Sequence, residues 1–134
     1  MIQLRIPFSL RNPFLPIFED YQKRLRWKFS VTTRKPNDLL SGISKDDFIV
    51  VLDIFGEDLK SEEFAALFES KLQTHKNIIF IIGGDTGLDD KTRASANLKI
   101  SFGKNTWPHQ LCSLMLIEQI YRAETIVNRH PYHK

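Results

Sequence analysis

The stretch NIIFIIGGDTGL, running from Asn77 to Leu88, decides how the rest of the chain is read. Its apolar run, Ile78, Ile79, Phe80, Ile81 and Ile82, is about one strand long and leaves no face polar. It therefore predicts a central strand in a sheet covered on both sides. Gly83, Gly84 and Gly87 follow at once, so the backbone can turn tightly and approach a neighbour or a ligand closely. In open α/β sheets ligands bind beyond the carboxyl ends of the strands, which makes this turn the first place to look for a site. The pattern alone argues only for a buried strand and a tight turn.

Upstream, Phe48 to Ile54 (FIVVLDI) is a second apolar, β-branched strand ending at Asp53, which either caps a turn or meets a ligand. Ser61 opens a helix with Glu62 and Glu63 in its first turn and a stripe of Phe64, Leu67, Phe68 and Leu72. Met1 to Phe8 alternates Ile2, Leu4 and Ile6 with Gln3 and Arg5; Pro7 ends this strand or makes it an edge. From Pro13, the spacing of Phe14, Phe18, Tyr21 and Leu25 predicts a helix with Asn12 as N-cap and Pro13 at its first position. Lys23, Arg24, Arg26 and Lys28 cluster at its far end, where cations suit the helix dipole or an RNA contact. Phe29 to Thr33 is a short strand, and Arg34 to Asp47 a loop with at most a helical turn around Leu39-Leu40.

Downstream, a short helix over Asp89 to Ala96 and a strand over Leu98 to Phe102 lead into the irregular segment Gly103-Lys104-Asn105-Thr106-Trp107-Pro108. A long helix then runs from His109 to about Asn128. Leu111, Leu114, Met115, Leu116, Ile117, Ile120, Tyr121, Ile126 and Val127 cover more of its girth than one stripe, so it has two surfaces to bury. A second copy of the chain is the simplest partner for the outer one. Strands alternating with helices give an α/β fold with a mostly parallel sheet.

With 134 residues the chain is expected to form a single domain over 1–134. Nineteen Lys+Arg against sixteen Asp+Glu leave a net +3, a mild excess that permits RNA without demanding it. The lone Cys112 excludes an intrachain disulfide and fits a reducing compartment; one turn into a helix, it reads as a small buried apolar residue rather than a nucleophile. No segment is apolar enough for a membrane span, so a cytoplasmic location is expected. There is no GxxxxGK[ST] and no GxGxxG, and His75, His109, His130 and His133 lack zinc spacing with a third ligand, so no metal site is expected. The C-terminal run Arg129-His130-Pro131-Tyr132-His133-Lys134 combines stacking surface, hydrogen-bonding groups and positive charge, as RNA recognition requires, although chain ends with such composition are also commonly solvated.

Taken together, LDIFGEDLKSEEFA, IIGGDTGL, TWPHQL, EQIYRA and the terminal NRHPYHK, in this order from Phe48 onward, resemble the RlmH family of SPOUT-class ribosomal RNA large subunit methyltransferases. The joint pattern is far more specific than any of its pieces. The resemblance implies a SPOUT-type sheet whose C-terminal part, about 76–134, forms a trefoil knot. It implies a homodimer that binds S-adenosyl-L-methionine and methylates N3 of pseudouridine 1915 in helix 69 of 23S rRNA on the assembled ribosome, with neither DNA nor a membrane as partner. Carried to matching positions, the cofactor would lie among Leu52-Asp53, the turn of Gly83, Gly84 and Gly87, and the segment Gly103, Lys104, Asn105, Thr106, Trp107 and Pro108. His109 would stand near the cofactor, unless it merely bonds backbone at its helix start. Arg129, Tyr132 and His133 of the other subunit would grip and polarise the base. Within the glycine turn, Gly84 is the position where an added side chain is expected to cost cofactor affinity. Family members carry a glycine-lysine loop after the first strand and a fuller helix before the strand matching Phe48 to Ile54; Pro7 to Asn12 and Arg34 to Asp47 depart from that pattern. A ribosome-binding factor without catalysis and a methyltransferase for another RNA remain the alternatives.

Overall fold

A computed structural model describes all of residues 1–134. The elements in chain order are β1 (Ile2–Ile6), α1 (Phe14–Arg24), β2 (Phe29–Thr33), a 3₁₀ turn (Pro36–Asp38), β3 (Asp47–Asp58), α2 (Ser61–Thr74), β4 (Asn77–Ile81), α3 (Asp90–Ala94), β5 (Leu98–Ser101) and α4 (His109–Val127). The five strands form one sheet in the order β2-β1-β4-β3-β5, and every strand pair is parallel. The expected α/β architecture holds, and β4 occupies the centre that its apolar run predicts.

Alternation along β4 explains the two cores. Ile78, Phe80 and Ile82 face Phe18 of α1, Phe64 and Phe68 of α2, and Leu116, Ile117 and Ile120 of α4. Phe68 packs against Phe64 and Phe80 with ring centroids 4.9 and 5.8 Å apart, the offset geometry that aromatic rings favour. Ile79 and Ile81 face the other way, with Ile49 and Val51, and are covered by Leu39 and Leu88 rather than by a long helix. Each fully buried side chain of this size contributes about 1.5–3 kcal/mol, so both faces of β4 hold the sheet together.

The loop that supplies Leu39 is tied down by Arg5, a residue whose alternating position in the sequence suggested a polar face. Arg5 is buried, and its Nη1 donates to the carbonyls of Leu39 at 3.0 Å and Ser41 at 2.7 Å. Nor is β1 an edge: it lies between β2 and β4, and Pro7 only ends it.

Three local readings need correction. Asn12 does not cap α1; Pro13 holds the N-cap position without a side-chain bond, and the Arg11 carbonyl accepts from Phe14 and Leu15, each at 2.9 Å. The helix ends at Arg24, so Arg26 and Lys28 lie outside it. Strand β3 extends four residues beyond Ile54 to Asp58, because after Leu52 pairs with Ile100 the chain bulges and Glu57 pairs with Ile100 again. Gly56 permits this: a β-carbon there would sit 2.7 Å from backbone atoms of Lys99 and Ile100.

Helix α4 is the spine of the helical layer. Its buried Gln110 accepts from Arg11 N–H at 3.0 Å and donates to the Ser9 carbonyl at 2.8 Å, fixing the loop after β1. Its buried Glu124 accepts from the N–H groups of Arg26 and Trp27 at 2.8 and 2.6 Å, which fixes the turn between α1 and β2. Leu116, Ile117 and Ile120 are buried, whereas Leu111, Leu114 and Met115 are only half-buried and, with Ile17 and Tyr21 of α1, line an apolar groove of about 490 Å³. The second surface expected of this helix is therefore real, and within one protomer it lies open.

Candidate functional site

A cavity of about 390 Å³ opens at the bulge of β3 and the carboxyl ends of β4 and β5. Three segments wall it: Leu52 to Ile54 at the bulge of β3, the turn Gly83 to Leu88, and Phe102 to Pro108. Leu52, Asp53, Gly83, Gly84, Gly87, Gly103, Asn105, Thr106, Trp107 and Pro108 all line it; of the predicted cofactor residues only Lys104 does not. The parallel register places these strand ends side by side, which is why residues some fifty positions apart in sequence share one wall.

The glycines differ in purpose. At Gly83 a β-carbon would meet the Gly87 carbonyl carbon at 2.7 Å and Leu88 N at 2.9 Å, so the turn folds back onto a backbone that tolerates no side chain. Gly87 N–H donates to the Gly84 carbonyl at 2.9 Å, and Gly87 has φ +75°, the left-handed region that favours glycine. At Gly84 a β-carbon would find only Pro7 Cγ at 3.5 Å, an ordinary contact. The steric demand therefore falls on Gly83 rather than on Gly84.

The third loop is held in a closed curve. Trp107 Nε1 donates to the Phe102 carbonyl at 3.1 Å, Ser101 Oγ donates to the Gly103 carbonyl, and Gly103 N–H donates to Asp58 Oδ1 at 3.3 Å. His109, the first residue of α4, does more than bond backbone. Its Nδ1 lies 3.2 Å from Asp85 of the glycine turn, and its ring packs against Phe8 with centroids 4.1 Å apart. Cys112, one turn further, also faces the cavity; burial pushes its thiol up, so it stays protonated and apolar in character, as its position in sequence suggests. Asp53 caps a turn, its Oδ1 accepting from Phe55 N–H at 3.1 Å, and the residue also lines the cavity. Arg93 of α3 is a lining residue that the sequence did not single out. Nothing in its spacing sets it apart from a solvated helix cation.

The predicted base-gripping residues lie elsewhere in the protomer; Arg129, Tyr132 and His133 are absent from this cavity's walls. Arg129 ends α4 with φ +57°, and the N–H groups of Arg129 and His130 donate to Ile126 and Thr125 at 3.2 and 2.8 Å, a Schellman closure with arginine where glycine is usual. The tail then folds back on its own helices. Tyr132 O–H lies 3.2 Å from both Tyr21 Oη and Glu118 Oε1, and the Arg122 guanidinium covers its ring at 4.9 Å. Burial, with the neighbouring Tyr21 hydroxyl and Glu118 carboxylate, pushes the Tyr132 phenol well above its ordinary value. Glu118 accepts from Arg122 Nη2 at 2.6 Å and Nε at 2.9 Å, and this bond raises the Arg122 guanidinium further. Arg122 Nη1 lies 3.0 Å from His133 Nδ1, and His133 Nε2 lies 2.8 Å from Glu62 of α2. Since a guanidinium can only donate, His133 Nδ1 accepts and its Nε2 carries the proton given to Glu62.

Parallel α/β topology with a glycine-walled cavity beyond the strand ends is the arrangement in which α/β proteins commonly take small ligands. The chain belongs to the SPOUT methyltransferase family and, within it, to the ribosomal RNA large subunit methyltransferase H group, as the order of its motifs suggests. The family described as "Predicted SPOUT methyltransferase" matches residues 11–133. The chain is 40% identical over 120 residues to the ribosomal RNA large subunit methyltransferase H of Caldicellulosiruptor saccharolyticus, covering 90% of this chain and 78% of that one. It is 43% identical over 105 residues to the protein of the same name from Clostridium botulinum strain Hall, covering 78% and 66% respectively. A putative ribosomal RNA large subunit methyltransferase H of Methanococcus vannielii is 39% identical over 108 residues, 80% of this chain and 68% of that one.

Two predictions test the geometry. Gly83→Ala must displace the Gly87-Leu88 backbone and should destabilise the protein by roughly 1–3 kcal/mol, whereas Gly84→Ala should stay within about 0.5 kcal/mol of the parent in urea unfolding. Equal effects would contradict the assignment of the tight contact to Gly83. The second concerns the tail. The hydrogen bond from His133 holds the Glu62 carboxyl below its ordinary 4.5. A lowered folded-state value means the contribution is complete above that ordinary value and fades as pH falls through the lowered one. Tail amides followed by NMR should lose their docked shifts on that acid limb, and Glu62→Gln should remove the dependence; an unchanged acid profile in Glu62→Gln would refute the coupling.

Proposed function

We propose that the chain transfers a methyl group from S-adenosyl-L-methionine to N3 of pseudouridine 1915 in helix 69 of 23S rRNA, on the assembled ribosome, as a homodimer. The observation that carries this reading is the cavity itself. Its lining contains every predicted cofactor residue but Lys104, on three loops that are distant in sequence. At about 390 Å³ it falls in the roughly 300–1,000 Å³ range of small-molecule sites. The residues fit such a ligand: backbone groups of Gly83, Gly84, Gly103 and Asn105 to Trp107 suit an adenine edge, Leu88 and Ile100 give it apolar walls, and Arg93 Nε is a buried donor without a hydrogen-bond partner. When bound, the cofactor supplies an electrophilic methyl group. The protein's own part is then chiefly to hold the acceptor in line and to exclude water. We also take the whole of 1–134 as one SPOUT domain, knotted over about 76–134.

The open groove supports the dimer reading. Ile100, Ser101, Phe102 and Gly103 line both the groove and the cavity, so a second copy seated against Leu111, Leu114 and Met115 would lie beside the cofactor loops. That placement offers a route for the partner's tail to reach the cavity, where Arg129, Tyr132 and His133 would hold the base while His109 borders the cofactor. The N3 proton must leave, and developing charge on the imide is met by donors and cations of the kind the tail carries. A loop base is already easy to unstack. Relatives named as ribosomal RNA large subunit methyltransferase H support RNA of the large subunit as substrate.

Purified protein with labelled S-adenosylmethionine should methylate ribosomes lacking the modification, with the label mapping to pseudouridine 1915. Label at another nucleotide would favour a different RNA target, and no transfer with the unmodified nucleotide present would refute the substrate. Sedimentation at micromolar concentration should give a dimer; a monomer would mean that the apolar groove serves something other than self-association.

A further inference from the structure

The cavity's charged lining is sparse and uneven. Asp53, Asp85 and Arg93 are its only charged residues apart from His109, and Arg93 is the only lysine or arginine among them. Asp85 is turned outward, its side chain 91% exposed and engaged with His109. Asp53 is the reverse, with a side chain only 6% exposed, and its Oδ2 stands 3.4 Å from Arg93 Nε. That approach is not a hydrogen bond: Arg93 Nε is shut off from water and has no partner. A buried N–H of a guanidinium left unmade is costly, so this arrangement wants a further acceptor or a small shift that completes the pair. The other end of the side chain lies against the glycine turn, with Nη2 3.7 Å from the position a β-carbon would take on Gly87. The guanidinium thus lies between Asp53 and Gly87 at the cavity wall, and the side chain remains 43% exposed.

We propose that Arg93 is a specificity-determining residue of the cavity, whose guanidinium takes the carboxylate of an α-amino-acid group on the bound ligand. This rests on the cofactor reading above and goes beyond it, because nothing in the predicted cofactor set supplies a cation that lines the cavity: Lys104 lies outside it. The chemistry favours arginine, since its planar fork can meet both carboxylate oxygens at once while Asp53 keeps it oriented. Backbone N–H groups recognise a neutral adenine edge but provide no full counter-charge for a carboxylate. An RNA phosphate is the competing occupant, and the experiment separates the two.

The test is calorimetry on the full-length protein and its Arg93→Met and Arg93→Lys variants with three probes. These are S-adenosylmethionine, its decarboxylated form, which keeps the ammonium, and 5′-methylthioadenosine, which lacks the whole amino-acid end. The parent should prefer S-adenosylmethionine over the decarboxylated form by roughly tenfold or more, the scale of a charge-assisted hydrogen bond. Arg93→Met should bring that ratio down to about one while leaving 5′-methylthioadenosine affinity unchanged, and Arg93→Lys should keep part of the preference. A preference that survives in Arg93→Met overturns the proposal, as does a parallel loss for all three probes, which would mean that Arg93 only shapes the loops. Unchanged binding of every probe with weakened ribosome binding would assign the residue to RNA. If the parent binds none of the three, the cofactor reading itself fails; if it binds all three with a ratio that Arg93 does not move, only this inference fails.

Discussion

The contact on which the site depends is the return of the Gly87-Leu88 backbone onto Gly83. Strand β4 is locked at the centre of the sheet by apolar residues on both faces, so its exit cannot shift to relieve a clash. A turn that comes within 2.7 Å of the space a β-carbon would need can exist only because residue 83 lacks one. Everything after the turn inherits that placement. Leu88 is delivered to the second face of the sheet, where it helps cover Ile79 and Ile81. Asp89 then caps α3 by accepting from Thr92 N–H at 2.8 Å, and α3 carries Arg93 back to Asp53 at the bulge of β3.

A cavity built this way handles position better than protons. Most of its wall is backbone or apolar surface, and its acidic residues are committed: Asp53 to Phe55 N–H and Arg93, Asp85 to His109. Cys112 is driven toward the neutral thiol by burial. Preorganised backbone suits a reaction whose barrier falls mainly through alignment, because little must reorganise when the reactants meet.

How much of this was legible in the sequence follows from the range of each interaction. The central strand, the glycine turn and the irregular Gly103-Pro108 segment are local patterns, and they assemble into one cavity as read. Which of the two adjacent glycines the returning backbone presses on was not legible, since both look alike in sequence; the close approach falls at Gly83. The Asn12 cap failed because Arg11 supplies a carbonyl acceptor and Gln110 fixes the loop from 99 positions away. Arg5 and Glu124 carry polar side chains at positions the fold buries, each bonded to backbone groups of a segment remote in sequence, although Arg5 Nε keeps no partner. Long-range hydrogen bonds leave no periodicity, and neither does the approach of Arg93 to Asp53, so nothing in the sequence singles Arg93 out.

The tail holds what the cavity lacks, and its docked form constrains the chemistry it can offer. Tyr132, pushed up by burial and by its neighbours, stays a phenol at neutral pH and can only donate or accept a hydrogen bond, not act as a base. His133 accepts from Arg122 through Nδ1 and donates through Nε2 to Glu62, so both ring nitrogens are occupied. Any role for these residues toward a base therefore requires that the tail exchange intrachain partners for new ones. Tyr21 and Glu118, which hold Tyr132, also line the open groove, so whatever seats in that groove meets the same side chains that hold the tail. The groove and the tail are thus two parts of one surface, which meets the cavity along Ile100 to Gly103 at the end of β5.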